Sequence, residues 1–190
     1  MTELGTTAAR GARSIVLLRG VNVGGHRLAM SLLRSVLEAA GCTEVVTYIQ
    51  SGNAVVTPPS PEPDDLAAAL SKAISSTAGY GVPVVLRTRD ELAAVVEANP
   101  YPGAEGKHLH VVFSADEPST AVLDALDLPS FLPEECALVG RELYLHLPSG
   151  MGRASLPTAL EKAGRRIDPS AVGTTRNWNT VLKLLDLADR

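Results

Sequence analysis

The stretch from Ile15 to Thr57 (IVLLRGVNVGGHRLAMSLLRSVLEAAGCTEVVTYIQSGNAVVT) constrains the fold more than any other, because apolar runs and glycine-bearing polar breaks alternate along it. Ile15 to Leu18 is a short β-prone run that stops at Arg19-Gly20. Met30, Leu33, Leu37 and Ala40 then recur at the three-and-four spacing of one helical face. Gly41 supplies the stop, since the position after a helix favours a left-handed residue. Val45 to Ile49 and Ala54 to Thr57 flank Ser51-Gly52-Asn53, residues tolerant of positive φ, and read as a hairpin. Strand, helix, strand, strand are the first four elements of a split β-α-β unit.

The rest of the chain completes that unit and begins another. The prolines between Pro58 and Pro63 sustain neither ladder nor helix, so they form a connection, with Asp64 as the expected cap of a helix that buries Leu66, Leu70, Ala73 and Ile74. Val82 to Arg87 is a fourth strand. Thr88-Arg89-Asp90-Glu91 has the form of a capping box and opens a helix to about Ala98. Lys107 to Phe113 alternates as a strand, Ser119 starts a short helix to Asp127, and Cys136–Val139 with Glu142–Leu147 make a hairpin around Gly140. Ser155 caps a helix ending at Gly164, and Asn177 to Ala188 forms a last helix with Trp178 as its buried anchor. The expected fold class is α+β: a ferredoxin-like β-α-β-β-α-β unit with an antiparallel sheet ordered 4-1-3-2, followed by a second α+β subdomain. The expected divisions are a mobile leader over 1–13, a first subdomain over 14–88, and a second over 89–190 carrying the docked final helix.

With 190 residues and 45% apolar content the chain can bury a sizeable core. No run approaches the roughly 18 apolar residues of a membrane span, and a cytoplasmic location is expected. Cys42 and Cys136 are far apart and read as small buried hydrophobes. A net charge of −4 and 4% aromatics argue against general nucleic-acid binding. His108-x-His110 has no third ligand at matching spacing, so no metal is assigned, and a solvent-facing strand is expected there. The acidic pairs Asp64-Asp65, Asp116-Glu117 and Glu134-Glu135 lie at loops or helix starts, where acids suit the dipole, and are given no catalysis. Neither a G-x-S-x-G elbow nor an H-E-x-x-H helix occurs.

Three blocks, Leu17-Leu18-Arg19-Gly20-Val21-Asn22-Val23-Gly24-Gly25 with Met30, then Thr47-Tyr48-Ile49-Gln50-Ser51-Gly52-Asn53, then Thr174-Thr175-Arg176-Asn177-Trp178-Asn179-Thr180, together resemble the bacterial domain-of-unknown-function family 1697. The resemblance spans nearly the whole chain after the leader. It implies a two-part α+β fold of ferredoxin-like character and carries no established activity or catalytic residues. Where the family tends to show serine followed by lysine after Gly150-Met151-Gly152-Arg153, this chain has Ser155 followed by Leu156.

The candidate site follows from topology. In a β-α-β-β-α-β unit the loop leaving the first strand and the turn between the second and third emerge at the same sheet end. Arg19 to Gly25 therefore faces Gln50 to Asn53. Arg19 offers a cation, while Asn22, Gln50, Ser51 and Asn53 offer neutral hydrogen bonds. The loop fits neither the phosphate-loop nor the dinucleotide spacing. Gly150-x-Gly152-Arg153-x-Ser155 and Arg176-Asn177 also open helices, and Arg153, Ser155, Arg176 and Asn177 join the candidate set. The expected partner is a small phosphate- or carboxylate-bearing ligand, with no cofactor assigned. The alternative is a nucleic-acid-binding or regulatory, protein-interaction module, an analogy of fold alone.

Overall fold

The computed structural model describes residues 13–59 and 63–190. Its strands are β1 (Ser14–Leu18), β2 (Thr43–Tyr48), β3 (Asn53–Thr57), β4 (Val84–Thr88), β5 (Leu109–Ser114), β6 (Glu135–Val139), β7 (Glu142–His146) and β8 (Gly173–Asn177). Its helices are α1 (Met30–Ala39), α2 (Pro63–Ala78), α3 (Arg89–Glu97), α4 (Ala121–Asp124), α5 (Leu156–Ile167) and α6 (Trp178–Ala188), with a 3-10 turn over Leu128–Phe131. The strands form two four-stranded sheets, ordered β2-β3-β1-β4 and β6-β7-β5-β8, and every pairing is antiparallel. The order 4-1-3-2 expected for the first sheet is therefore present, and the second sheet repeats it.

β1 explains why the sheets lie where they do. All five of its residues are buried, so it is covered on both faces, as a continuous apolar run demands. Val16 and Leu18 pack outward with Leu33 and Leu37 of α1 and Leu70 and Ile74 of α2. Ile15 and Leu17 pack inward with Val55 and Val85, with α3 and α6, and with Leu109, Val111, Phe113 and Tyr144 of the second sheet. The far face of the second sheet, including Leu145, packs on Leu156 and Leu160 of α5. One central cluster thus belongs to both sheets. Trp178 lies in it, 8% exposed, as its place in the sequence pattern requires.

Several local expectations change. Residues 1–12 and 60–62, which hold almost all of the leader and part of the proline connection, lie outside the described residues. α2 begins at Pro63, which suits a first helical position, so Asp64 falls inside the helix; its side chain, too, lies outside the description. Positive φ in the β2–β3 turn falls on Ile49 and Gly52, whereas Asn53 opens β3. His110 is buried in β5 and His108 precedes the strand, so the two do not share a solvent-facing strand. Among the described residues no cluster of three or more metal-ligating side chains occurs. β8 was not foreseen. The capping box at Thr88 is present, with Thr88 accepting from Glu91 N at 3.1 Å and Glu91 accepting from Thr88 N at 2.7 Å. No helix among the described residues is long and apolar enough to cross a membrane.

Candidate functional site

Arg176 stands on β8 opposite Val111 and reaches across to the first sheet. Its Nε donates to Asn53 Oδ1; its Nη1 donates to Thr174 Oγ1 at 2.6 Å and Thr175 O at 2.8 Å. Its Nη2 donates to Leu18 O at 2.7 Å and to the carbonyls of Ser51 and Gly52, both at 3.2 Å. Burial pushes its pKa down to about 10, with carbonyl and amide dipoles in place of a carboxylate. Every guanidinium nitrogen is engaged, so Arg176 braces the loop end of the first sheet and offers nothing to a solvent anion. Asn53 is fully buried and also donates to Tyr48 O and Ser51 Oγ, which closes the turn.

The same device recurs with the sheets exchanged. Arg87 on β4 lies opposite Ile15, as Arg176 lies opposite Val111; Asn53 lies opposite Leu17, as Glu142 lies opposite Phe113. Arg87 Nε meets Glu142 Oε1 at 2.8 Å, its Nη2 donates to Ser114 O at 2.6 Å, and its Nη1 donates to Leu86 O at 2.7 Å. Ser114 follows Phe113 as Leu18 follows Leu17, and Leu86 precedes Arg87 as Thr175 precedes Arg176. Each half therefore sends one arginine from its edge strand into the loop end of the other half.

The remaining candidates separate. Ser155 and Leu156 donate their backbone N–H groups to the Glu134 carboxylate, at 3.0 Å and 2.7 Å, so the start of α5 holds an anion from its own chain. Ser155 makes no side-chain cap, contrary to expectation. Arg153 is exposed, and among the described residues no hydrogen bond links it or Ser155 to the 19–25 or 49–53 segments. Asn177 caps α6 through Asn179 N and donates to Gly106 O at 3.0 Å. Arg19 donates to Ala171 O at 3.4 Å, a contact that ties its loop to the second half.

Asn22 and Gln50 do come together, as the topology requires. Asn22 Nδ2 donates to Gln50 O at 2.6 Å and to Leu28 O at 3.0 Å, while its Oδ1 accepts from Leu28 N at 3.0 Å. One side chain thus closes the 22–28 loop and pins it to the β2–β3 turn. Asn22 takes a φ of +54°, a conformation asparagine tolerates, and Gly24 and Gly25 continue in the left-handed region. Between the 22–27 loop and Gln50 lies an open hollow of about 340 Å³. His26 stacks on Tyr80, centroids 4.3 Å apart and planes 15° from parallel, which props the loop against the end of α2. The turn opposite is held by Gly52, where an added Cβ would come within 2.5 Å of Val21 Cγ2 and 2.7 Å of Leu18 Cβ. His26 and Arg27 were missed from sequence, although they directly follow the two glycines. A pair of basic side chains on the helix side of that loop was the available signal.

A family model described as protein of unknown function (DUF1697) matches residues 12–144, more than half of the sequence. The chain belongs to that family. No match was found among curated proteins. Among solved structures the chain is similar to the conserved bacterial protein SP0830 from Streptococcus pneumoniae, with a TM-score of 0.77 and 20% identity over 94% of this chain and 99% of that one. At that identity the likeness concerns the fold.

Proposed function

We propose that this protein binds a small anionic ligand, phosphate- or carboxylate-bearing, in the hollow between the 22–27 loop and Gln50. The observation that carries the reading is the charge of its lining: among the described residues the charged or titratable side chains there are His26 and Arg27, with no carboxylate. Arg27 enters none of the ion pairs formed among the described residues. An exposed cation without an internal partner keeps its donors for a ligand, in contrast to Arg176 and Arg87. A second hollow of about 380 Å³ lies along β4, but there Arg87 is bound to Glu142, Arg141 is bound to Glu91 at 2.6 Å, and Asp116 adds a further negative charge. It offers no surplus positive charge.

The test is calorimetric titration of the full chain with inorganic phosphate, comparing wild type with Arg27→Ala. Arg27 is exposed, so the variant should melt with wild type. Loss of one charge-assisted contact of about 1.5–3 kcal/mol should weaken binding by roughly tenfold or more. Equal affinity in the two proteins, or no binding by wild type at millimolar phosphate, would refute the assignment.

A further inference from the structure

We infer that the anion bound in this hollow is the head of an amphiphile, whose short hydrocarbon part lies on Val23 and Ile49; the inference rests on the anion-binding reading above. Both side chains are large, apolar and exposed, Val23 by 61% and Ile49 by 48%. Val23 lines the hollow, and Ile49 immediately precedes Gln50, whose carbonyl is bonded to Asn22.

Among the described residues Ile49 is the one β-branched side chain at positive φ. Its φ is +47°, and a β-branched residue in the left-handed region is a genuine outlier that costs on the order of 1–3 kcal/mol. The surroundings impose it. Gly52 leaves no room for a side chain beside Leu18 and Val21, Asn53 bonds Tyr48 O, and Asn22 bonds Gln50 O, so the turn is held on both sides of Ile49. Glycine or asparagine would satisfy that conformation more cheaply and would leave no apolar surface in water. The fold thus holds an isoleucine where neither local conformation nor burial favours it.

Comparison of the two halves sharpens the point. In the second half the equivalent hairpin pairs Val139 with Glu142 and turns through Gly140 and Arg141 alone, with the positive φ on glycine. In the first half Tyr48 pairs with Asn53, and four residues, Ile49 to Gly52, make the turn. The strands and arginine braces correspond register by register, yet the hairpin beside the cationic hollow departs from its counterpart in both length and residue type. A cationic hollow lined by exposed Val23, with exposed Ile49 next in the chain to its lining residue Gln50, suits a ligand that carries both features.

The test extends the titration to n-butyl phosphate, with wild type, Ile49→Gly and Val23→Ser, all as full chains whose melting temperatures are measured first. Four methylene-sized groups meeting two apolar side chains should make butyl phosphate bind wild type at least about tenfold more tightly than inorganic phosphate. In Ile49→Gly, which relieves the strained φ and should melt at or above the wild-type temperature, that ratio should fall to about threefold or less. Val23→Ser should lower it independently and serves as the second variant if the glycine disturbs the turn. Phosphate binding with no gain from the butyl chain would overturn this inference and leave the anion site standing. Binding of neither compound would overturn both. Co-sedimentation with anionic phospholipid vesicles without binding of monomeric butyl phosphate would also overturn it, because the surface would then be reading a membrane and not a single amphiphile.

Discussion

His110 is 8% exposed on β5, with its Nδ1 buried and without a hydrogen-bond partner among the described residues. Its Nε2 lies 3.4 Å from Asn177 Nδ2, a donor, so the neutral ring with its proton on Nδ1 is the form the surroundings accept. Burial lowers its pKa first, and His108 nearby lowers it further. In the unfolded chain the ring takes its proton near 6.5, whereas in the fold it does so at lower pH. Between those values the unfolded state binds more protons, so stability falls as pH drops through about 6.5 and is fully present above it. Denaturant midpoints at about pH 7.5 and about pH 5.5 should differ more for wild type than for His110→Leu; an equal acid loss in both would place the sensitivity elsewhere. Arg176 has its pKa lowered by burial in the same direction, but only to about 10. It keeps its charge near neutrality because six protein acceptors surround it. At the equivalent place Arg87 has Glu142 for a partner, so one brace is neutral on its accepting side and the other ionic.

Among the elements, α5 depends on a residue far from it in sequence. The Glu134 carboxylate accepts from Ser155 and Leu156, so Glu134→Ala should cost about 1–2 kcal/mol, the range of a lost charged cap, whereas Ser155→Ala should cost little because its side chain caps nothing. Chemical denaturation of the two variants checks this, and a larger loss from Ser155→Ala would reverse the assignment. The contrast shows what sequence reading reaches. Local rules found the capping box at Thr88 because its two bonds span three residues; they also placed Ser155 at the N-cap of α5, but its side chain does not cap, because the capping carboxylate, Glu134, comes from before β6. Helices and β1 to β7 were legible through apolar period. β8, Gly-Thr-Thr-Arg-Asn, was not, because its buried residues are Thr174 and Arg176 and no hydrophobic alternation marks it. The site divides in the same way. The meeting of the Asn22 loop with Gln50 follows from strand order alone, whereas the inward direction of Asn53 and Arg176 depends on the second sheet, which no turn sequence encodes.

The whole molecule is organised by a core to which both sheets contribute, and this limits how far its halves can stand apart. Residues 13–88 contain the first sheet with α1 and α2, and so retain the outer cluster around Leu33, Leu37, Leu70 and Ile74. They lack everything that covers the inner face: without α3, α6 and the second sheet, Ile15, Leu17, Val55 and Val85 face water. At about 1.5–3 kcal/mol for each buried aliphatic side chain, that exposure removes roughly 6–12 kcal/mol, as much as the entire stability of an ordinary domain. The fragment also loses Arg176, which gathers Leu18, Ser51, Gly52 and Asn53 at the loop end, and Glu142, the partner of Arg87. The full chain should therefore unfold in one cooperative transition, while the 13–88 fragment should lack a cooperative melt and bind the hydrophobic dye ANS. Mixing it with an 89–190 fragment should restore both the melt and the protection from dye. A 13–88 fragment that melts cooperatively alone, with dispersed amide resonances, would show that the inner face of the first sheet can be covered without its partner.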